Sequence, residues 1–302
     1  MQTEISTRVQ GAGTAEVAAA AAELVTNGSV EMGAHRPDDA RAIATLLPAN
    51  TPVYVNHLPG HSLGESIASL IAVREAGLEP VPHVAARRIL NRAEVDSFLG
   101  HAVNKAGVRK VLLIGGDEPA ALGPYPDAGS LLREGILPAC GVREVGIASH
   151  PEGNPRVPLA ALERAFDEKL AIASAQGLGA YVVTQFSFSP ARVLEHCTSL
   201  ARRAPGVPVY IGLAGPTSAG TLLRFAQRCG VSASLRALRD QGMAAVNLVT
   251  HTDPGDQLSL LARYCVSHPG GNVVGVHVFS FGGAVSAAAW MHETITKLGA
   301  RP

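Results

Sequence analysis

The chain alternates between short apolar segments and longer amphipathic segments, and this alternation constrains the fold more than any other feature. The apolar segments are rich in Val, Ile and Leu, which is typical of strands buried on both faces of a parallel sheet. Eight strands are predicted, at residues 29–33, 52–56, 79–85, 110–115, 144–149, 180–185, 208–212 and 272–279.

The segments between these strands have the apolar spacing and the end signals of helices. They are predicted at residues 37–46, 63–76, 92–105, 128–134, 159–175, 190–203, 219–228 and 282–298. An open, doubly wound sheet would also alternate strands with helices, but it needs fewer strands and commonly has a glycine fingerprint after its first strand. The count of strands therefore favours a closed (β/α)8 barrel, also called a TIM barrel.

Two further segments extend this pattern. Residues 14–26 predict an extra N-terminal helix before the first strand, and residues 231–268 predict a helical insertion between strands seven and eight. Closed barrels of this length commonly form one domain, so we predict a single catalytic domain over residues 1–302.

Charge and apolar segment length exclude several classes of partner. The chain has 25 basic and 25 acidic residues, and no Lys or Arg cluster resembles a nucleic-acid-binding surface. The Ala-rich segment 15–25 contains Glu16 and Glu23 and is too short to cross a bilayer. We expect a cytoplasmic protein that binds neither nucleic acid nor membrane, while association into a homo-oligomer through outer helices stays open.

The four cysteines are far apart in the sequence and form no Cys/His spacing that is typical of a metal site. They are Cys140, Cys197, Cys229 and Cys265. Reduced, buried thiols are therefore expected, and no metal ligand is predicted.

Polar side chains stand where most of the predicted strands end. They are Glu31, Asn56, His83, Asp117, His150, Gln185 and His277. In a closed barrel the carboxyl ends of the strands, together with the loops that follow them, form the face that carries the active site. Long loops at 57–62, 117–129 and 150–158 follow strands as well, so loop length indicates the same face.

These strand ends give the chain a resemblance to the methylenetetrahydrofolate reductase family, in its short bacterial form that consists of the catalytic barrel alone. The resemblance runs over nearly the whole chain. The matching segments are 30–31, 82–84, 115–119, 150–155, 168–170, 183–188, 221–231 and 275–279.

The resemblance implies a flavoprotein oxidoreductase of one-carbon metabolism. Such an enzyme reduces 5,10-methylenetetrahydrofolate to 5-methyltetrahydrofolate with hydride from FAD, which NADH or NADPH has first reduced. Opening the bridging methylene requires a proton at a folate nitrogen, so a carboxylic acid is needed there. The resemblance assigns this role to Glu31, and the alternative is a surface Glu before a helix.

The resemblance also implies roles for other residues in binding folate or flavin. Asp117 would take part in catalysis and contact both the pterin and the flavin, and Gln185 would bind the pterin, with Phe186 beside it. The implied FAD-binding residues are Asn56, His83, Gly116, Asp117, His150 and Lys169. The alternatives are a turn Asp, a strand-end cap for Gln185, a structural histidine for His83 and a solvated helix residue for Lys169. His277 is interpreted as a buried structural histidine.

Several departures from the family pattern leave the flavin chemistry open. Gly115 and Gly283 stand where the family has arginines, which would supply positive charge to flavin or folate. Arg87 and Arg88 follow strand three, and solvated loop charges are the favoured interpretation of both. Two alternatives stay open: an enzyme that mainly oxidises 5-methyltetrahydrofolate or works without tightly bound flavin, and a non-catalytic folate-binding protein.

Overall fold

Eight parallel strands form the sheet of the computed structural model, which describes residues 13–228, 231 and 254–299. The strands follow one another in chain order around a closed barrel, which confirms the predicted (β/α)8 fold. They are β1 Ser29–Met32, β2 Pro52–Val55, β3 Glu79–Ala85, β4 Lys110–Ile114, β5 Glu144–Ser149, β6 Gly179–Thr184, β7 Val209–Ala214 and β8 Val273–Phe279. Each overlaps the strand predicted at that place.

Helices separate the strands, as the sequence predicts. They are Thr14–Thr26, Asp39–Ala44, Ile67–Glu75, Arg92–Ala106, Ala128–Arg133, Ile136–Ala139, Leu159–Ala175, Pro190–Arg203, Ala219–Arg228, Pro254–Ser267 and Ala284–Gly299. Two 3-10 turns, Leu63–Ser66 and Ala86–Arg88, follow β2 and β3. No helix of the described ranges is long and apolar enough to cross a membrane.

The additions to the barrel agree with the sequence where the structure describes them. The N-terminal helix Thr14–Thr26 has the predicted bounds. Helix Pro254–Ser267 forms the end of the predicted insertion, whose residues 232–253 lie outside the described residues.

Local signals explain the ends of helix Arg92–Ala106. The Asn91 side chain accepts a hydrogen bond from the Glu94 backbone N–H and so caps the first turn. Gly107 ends the helix with φ of 62°, in the left-handed region that glycine adopts without strain.

The chain divides into two compact units. One comprises Val30–Ser149 and Gly153–Val183, and the other comprises the described residues of Met1–Ser29, His150–Glu152 and Thr184–Pro302. We call the first the β1–β5 unit, which also contains helix Leu159–Ala175 and β6 up to Val183, and the second the C-terminal unit. The assignment of the whole chain to one domain stays a prediction, and the two units are described in turn below.

Candidate functional site

Glu31 is a buried carboxylic acid in the β1–β5 unit. It lies in β1, is 8% exposed, and pairs in register with Tyr54 of β2. Its Oε1 atom lies 3.9 Å from Nε2 of His83 in β3, and both side chains are about as deeply buried. Because Glu31 lies in the strand and not on a surface loop, it is not the surface Glu of the alternative interpretation.

The ring of Tyr54 packs against His83, and Tyr181 lies beside Tyr54. The Tyr54 ring meets the His83 ring edge to face, with 5.8 Å between the centroids. The Tyr181 hydroxyl donates to the Val111 carbonyl at 3.3 Å, and burial, followed by the nearby Tyr54, raises the pKa of Tyr181 well above its usual value. His83 therefore contacts the Tyr54 ring, and the hydroxyl of Tyr181 next to Tyr54 stays protonated at neutral pH.

Arg88 makes polar contacts with three other residues of the β1–β5 unit. Its Nε donates to Glu118 Oε1 at 2.6 Å, and its NH1 donates to the His57 backbone carbonyl. Its NH2 lies 3.7 Å from Asp117 Oδ2. Since Arg88 is only 8% exposed, the expectation of a solvated loop charge is wrong for this residue. A buried guanidinium requires such partners, because an unpaired charge is costly inside a protein.

Arg87, the neighbour of Arg88, uses its guanidinium differently. Its Nε donates to the Pro126 carbonyl at 2.7 Å, and its NH1 donates to the Glu118 carbonyl at 3.2 Å. Both bonds go to backbone oxygens of the loop after β4. Arg87 is half-buried, so its function is to hold this loop rather than to stand free in water.

His57 is a neutral histidine that fixes the loop after β2. The Ala85 N–H donates to its Nδ1 at 3.3 Å, and its Nε2 lies 3.2 Å from the His61 carbonyl. These two contacts select the tautomer with the proton on Nε2. Burial, aided by the charge of Arg88, lowers the pKa of His57 to about 4, so the ring stays neutral.

Asn56 offers a hydrogen-bond acceptor at this edge, and the glycines Gly115 and Gly116 after β4 leave the backbone open to close approach. The Asn56 Oδ1 atom is buried and has no hydrogen-bond partner among the described residues. Gly115 has open space where a Cβ would lie, and Gly116 has φ of 93°, a conformation that favours glycine. A planar molecule with N–H donors is the kind of ligand that such a place can accept.

Asp117 and Glu118 follow these glycines and differ in burial. The Asp117 side chain is 60% exposed, whereas that of Glu118 is 15% exposed. Desolvation is the largest single effect and would raise the pKa of Glu118, but the hydrogen bond from Arg88, a backbone hydrogen bond and the nearby positive charge together outweigh it and lower the pKa. The Asp117 carbonyl accepts a hydrogen bond from Arg156 at 3.3 Å. The Glu118 carboxylate is therefore paired with Arg88, whereas most of the Asp117 side chain is exposed to solvent.

Lys169 lies on helix Leu159–Ala175. Its Cγ would be 3.9 Å from a Cβ on Gly129, so its stem packs against helix Ala128–Arg133. Burial lowers the pKa of Lys169, and the charge of Asp127 opposes this effect. Lys169 is therefore not the solvated helix residue of the alternative interpretation.

The other predicted residues lie in the C-terminal unit. The Gln185 Oε1 atom accepts a hydrogen bond from the Phe186 N–H at 3.1 Å, which agrees with a cap after β6. Phe186 is 1% exposed and packs edge to face against Phe188, Phe279 and Phe281. Contact between the Phe186 ring and a ligand would require this cluster to open, and both binding roles stay predictions.

The two histidines of the C-terminal unit have different surroundings. His277 is fully buried in β8, where its Nδ1 lies 2.8 Å from the Ser29 hydroxyl, as expected of a structural histidine. His150 is half-buried after β5, and its charge is one cause, after burial, of the lowered pKa of His196. The flavin-binding role of His150 stays a prediction.

The structure therefore brings five of the predicted residues to the strand ends of one unit. They are Glu31, Asn56, His83, Gly116 and Asp117. We call them, with His57, Arg88 and Glu118, the strand-end cluster. Sequence reasoning missed the last three as site residues, although all three stand in loops that follow predicted strands.

No protein-family model matches the chain. Among solved structures, a protein from Clostridium thermocellum that binds two copies of 5-methyl-5,6,7,8-tetrahydrofolic acid has a similar fold. It is 13% identical, with 90% of this chain and 96% of that chain covered and a TM-score of 0.57. At this identity the likeness establishes the class of fold, a (β/α)8 barrel, and assigns no activity.

Two enzymes are less similar in structure. Dihydropteroate synthase from Thermus thermophilus is 14% identical, with 91% of this chain and 94% of that chain covered and a TM-score of 0.49. N-acetylneuraminate lyase from Fusobacterium nucleatum is 11% identical, with 91% and 76% covered and a TM-score of 0.45. Neither likeness is close enough to bear on the chemistry of this chain.

Proposed function

We propose that this protein is an oxidoreductase that interconverts 5,10-methylenetetrahydrofolate and 5-methyltetrahydrofolate, with Glu31 as the proton donor. The observation that carries the proposal is a carboxylic acid in β1 that is 8% exposed and lies 3.9 Å from His83. In (β/α)8 barrels the strand ends carry the active site, and this supports a catalytic role for a buried acid near such an end. Further support comes from the similar fold of a protein that binds 5-methyl-5,6,7,8-tetrahydrofolic acid.

In the proposed reduction, Glu31 holds a proton on its carboxyl group and gives it to a folate nitrogen. The ring that contains the bridging methylene then opens to an iminium, whose carbon accepts hydride and becomes the methyl group. Glu31 is left as a carboxylate, and in the reverse direction it takes the proton back. His83 lies across from Glu31 at a distance longer than a hydrogen bond, so one water or a small rotation would connect them.

The residues of the strand-end cluster fit the ring system of FAD. The buried Asn56 Oδ1 atom can accept an N–H of a flat heterocycle, and the open space at Gly115 lets a ring approach the backbone. When bound, FAD would supply the hydride, after reduction by NADH or NADPH. Asn56, His83, Gly116, Asp117 and Lys169 would hold it.

One observation favours a second candidate, an enzyme that works without tightly bound flavin. The buried Arg88 guanidinium already contacts Glu118, Asp117 and the His57 carbonyl, so its charge is balanced within the protein. A flavin diphosphate needs positive charge that is not already paired. Weak FAD affinity would follow from this arrangement.

An anaerobic absorbance measurement tests the proposal. The full chain is mixed with FAD, and the oxidised flavin band is recorded before and after addition of 5-methyltetrahydrofolate. Bleaching is expected, because the reverse reaction transfers hydride to the flavin. Folic acid is the matched control, since it carries no methyl group to oxidise and leaves the band unchanged.

The absence of bleaching would contradict flavin-dependent chemistry and requires a second measurement. Calorimetric titration with 5-methyltetrahydrofolate establishes whether folate binds. NADH or NADPH consumption with 5,10-methylenetetrahydrofolate in the absence of FAD would then support the second candidate. Folate binding without any turnover would support the hypothesis of a non-catalytic folate-binding protein.

A further inference from the structure

Three exposed side chains on the loops after β1 and β2 bring possible metal ligands together. They are His35, His61 and Glu65, whose ligand atoms all lie within 4.8 Å of one another. His61 Nδ1 is 2.7 Å from Glu65 Oε2, and His35 Nε2 is 3.7 Å from the same oxygen. The two imidazole rings lie 4.2 Å apart between centroids.

We propose that His35, His61 and Glu65 form a binding site for Zn²⁺. Two imidazoles and one carboxylate are a ligand set that zinc uses with a fourth, open position. Donor atoms about 2.0–2.1 Å from a tetrahedral zinc are roughly 3.3 Å from each other. The two distances to Glu65 Oε2, 2.7 and 3.7 Å, lie on either side of this value, and the two histidine nitrogens lie within 4.8 Å of each other. Side-chain rotations of the two exposed histidines would therefore bring all three donors to one ion.

Glu65 is held so that its two carboxylate oxygens have separate functions. Oε1 accepts hydrogen bonds from the Ser62 N–H at 3.0 Å and from the Ser62 hydroxyl at 3.3 Å. The bond from the Ser62 N–H belongs to the capping box at the start of the 3-10 turn Leu63–Ser66. Oε2 points to both histidines. The backbone thus orients the carboxylate, as outer-shell hydrogen bonds do in metal sites.

The loops that carry the two histidines are themselves fixed by buried side chains. The Ser69 hydroxyl, fully buried on helix Ile67–Glu75, donates to the Ala34 carbonyl at 2.6 Å, next to His35. The buried His57 ring contacts the His61 carbonyl at 3.2 Å. Each backbone segment is therefore set before any metal arrives, which lowers the cost of ordering the ligands.

The exposure of the three side chains indicates an open rather than a closed site. Their side chains are 41–44% exposed, so the fourth position would face water or a carboxylate from solution. Mg²⁺ and Ca²⁺ prefer oxygen ligands, and two imidazoles select against both ions. The sequence alone predicts no metal, because His35 and His61 belong to different loops and show no local spacing.

Calorimetric titration of the chelator-treated full chain with Zn²⁺ tests the site, with Mg²⁺ as the parallel arm. We expect one Zn²⁺ per chain and no Mg²⁺ binding under the same conditions. His35→Ala and His61→Ala should each weaken the Zn²⁺ affinity at least about tenfold. His101→Ala, which removes an exposed histidine from helix Arg92–Ala106, is the matched control and should leave the affinity unchanged.

Glu65→Gln separates metal binding from folding. Gln at this position keeps the capping box but provides a neutral and weaker ligand, so Zn²⁺ affinity should fall while the melting temperature of the apoprotein stays within a degree or so. Tetrahedral Co²⁺ absorption bands that disappear in the same variants would give independent support. No Zn²⁺ binding by the natural chain, or unchanged affinity in His35→Ala and His61→Ala, would overturn the proposal. Since Glu31→Gln leaves these ligands intact, failure of the folate chemistry is distinguishable from failure of this site.

Discussion

Arg88 and Glu118 form an ion pair at 2.6 Å whose cationic member has only 6% of its side chain exposed. The same guanidinium donates to the His57 carbonyl and lies near Asp117, so one residue joins the loops after β2 and β4. The position of the glycines and acids after β4 therefore depends on a charge that follows β3.

Arg88→Met should destabilise the protein by about 3–5 kcal/mol, because it leaves the Glu118 carboxylate half-buried without its cation. The His57 carbonyl would also lose a donor. Denaturant titration of the free energy of unfolding checks this. Arg92→Met is the control: Arg92 is exposed and pairs with Glu134 at 2.7 Å, so about 0–1 kcal/mol is expected. Equal losses in the two variants would contradict the structural role of Arg88.

Glu31→Gln should reduce folate turnover by at least about a hundredfold, since an amide cannot deliver the proton. The fold should be kept, because the amide has nearly the same shape. Steady-state kinetics with 5,10-methylenetetrahydrofolate and thermal unfolding measure the two effects. Glu144→Gln makes the same chemical change at the amino end of β5, where Glu144 pairs with Lys110 at 3.4 Å, and should retain turnover. If Glu31→Gln turns over folate nearly as fast as the natural chain, Glu31 is not the proton donor.

We expect the free energy of unfolding to decrease in acid because His196 is held neutral in the folded chain. Burial, and then the charge of His150, lowers its pKa to about 4, while an unfolded histidine has a pKa of about 6.5. Below about pH 6.5 the unfolded chain binds a proton that the folded chain does not, so stability falls between about pH 6.5 and pH 4. The contribution of His196 is on the order of 1–3 kcal/mol, because its side chain is only half-buried.

Urea titrations at about pH 7.5 and about pH 4.5 measure this contribution, since most of the expected loss of stability falls between these two values. His196→Gln should lose less stability than the natural chain over this range. His101→Gln, which changes an exposed histidine, should follow the natural chain. If His196→Gln has the same dependence on pH as the natural chain, the protonation of His196 does not contribute.

Gly146→Ala should destabilise the protein by about 1–3 kcal/mol through overpacking. A Cβ at Gly146 in β5 would lie 2.7 Å from the ring of Tyr181, which is buried and hydrogen-bonded to Val111. Gly100→Ala is the control, since its Cβ would meet open space in helix Arg92–Ala106, and it should stabilise by about 0.5–1 kcal/mol. Thermal unfolding of both variants measures the contrast; destabilisation of similar size in both would argue against the ring contact.

The fold could be predicted from the sequence because its signals are local. A run of apolar residues such as 111–113 identifies a buried strand without reference to any other part of the chain. Glu31 could be identified in the same way, as a polar residue inside an apolar strand. The buried state of Glu31 follows from that local pattern, and the structure agrees with it.

Residues whose surroundings depend on distant partners could not be predicted. Arg88 looks like a loop charge in the sequence, and its burial depends on Glu118, thirty residues further along. Phe186 stands beside a polar strand end, but its ring is covered by Phe279 and Phe281 of a later segment. In both cases the packing of separate elements decides the burial, and no local pattern contains that information.

The capping box at Ser62 and Glu65 has a consequence for how a metal site can arise. The turn after β2 uses a side-chain acceptor at position 65 whether or not an ion binds, and Glu65 meets this need with Oε1 while Oε2 points to His35 and His61. Only two imidazoles then have to appear by mutation, each on an exposed loop where substitutions cost little stability. A chain with this turn is therefore two substitutions away from gaining a metal ligand set and one away from losing it, and folding opposes neither direction.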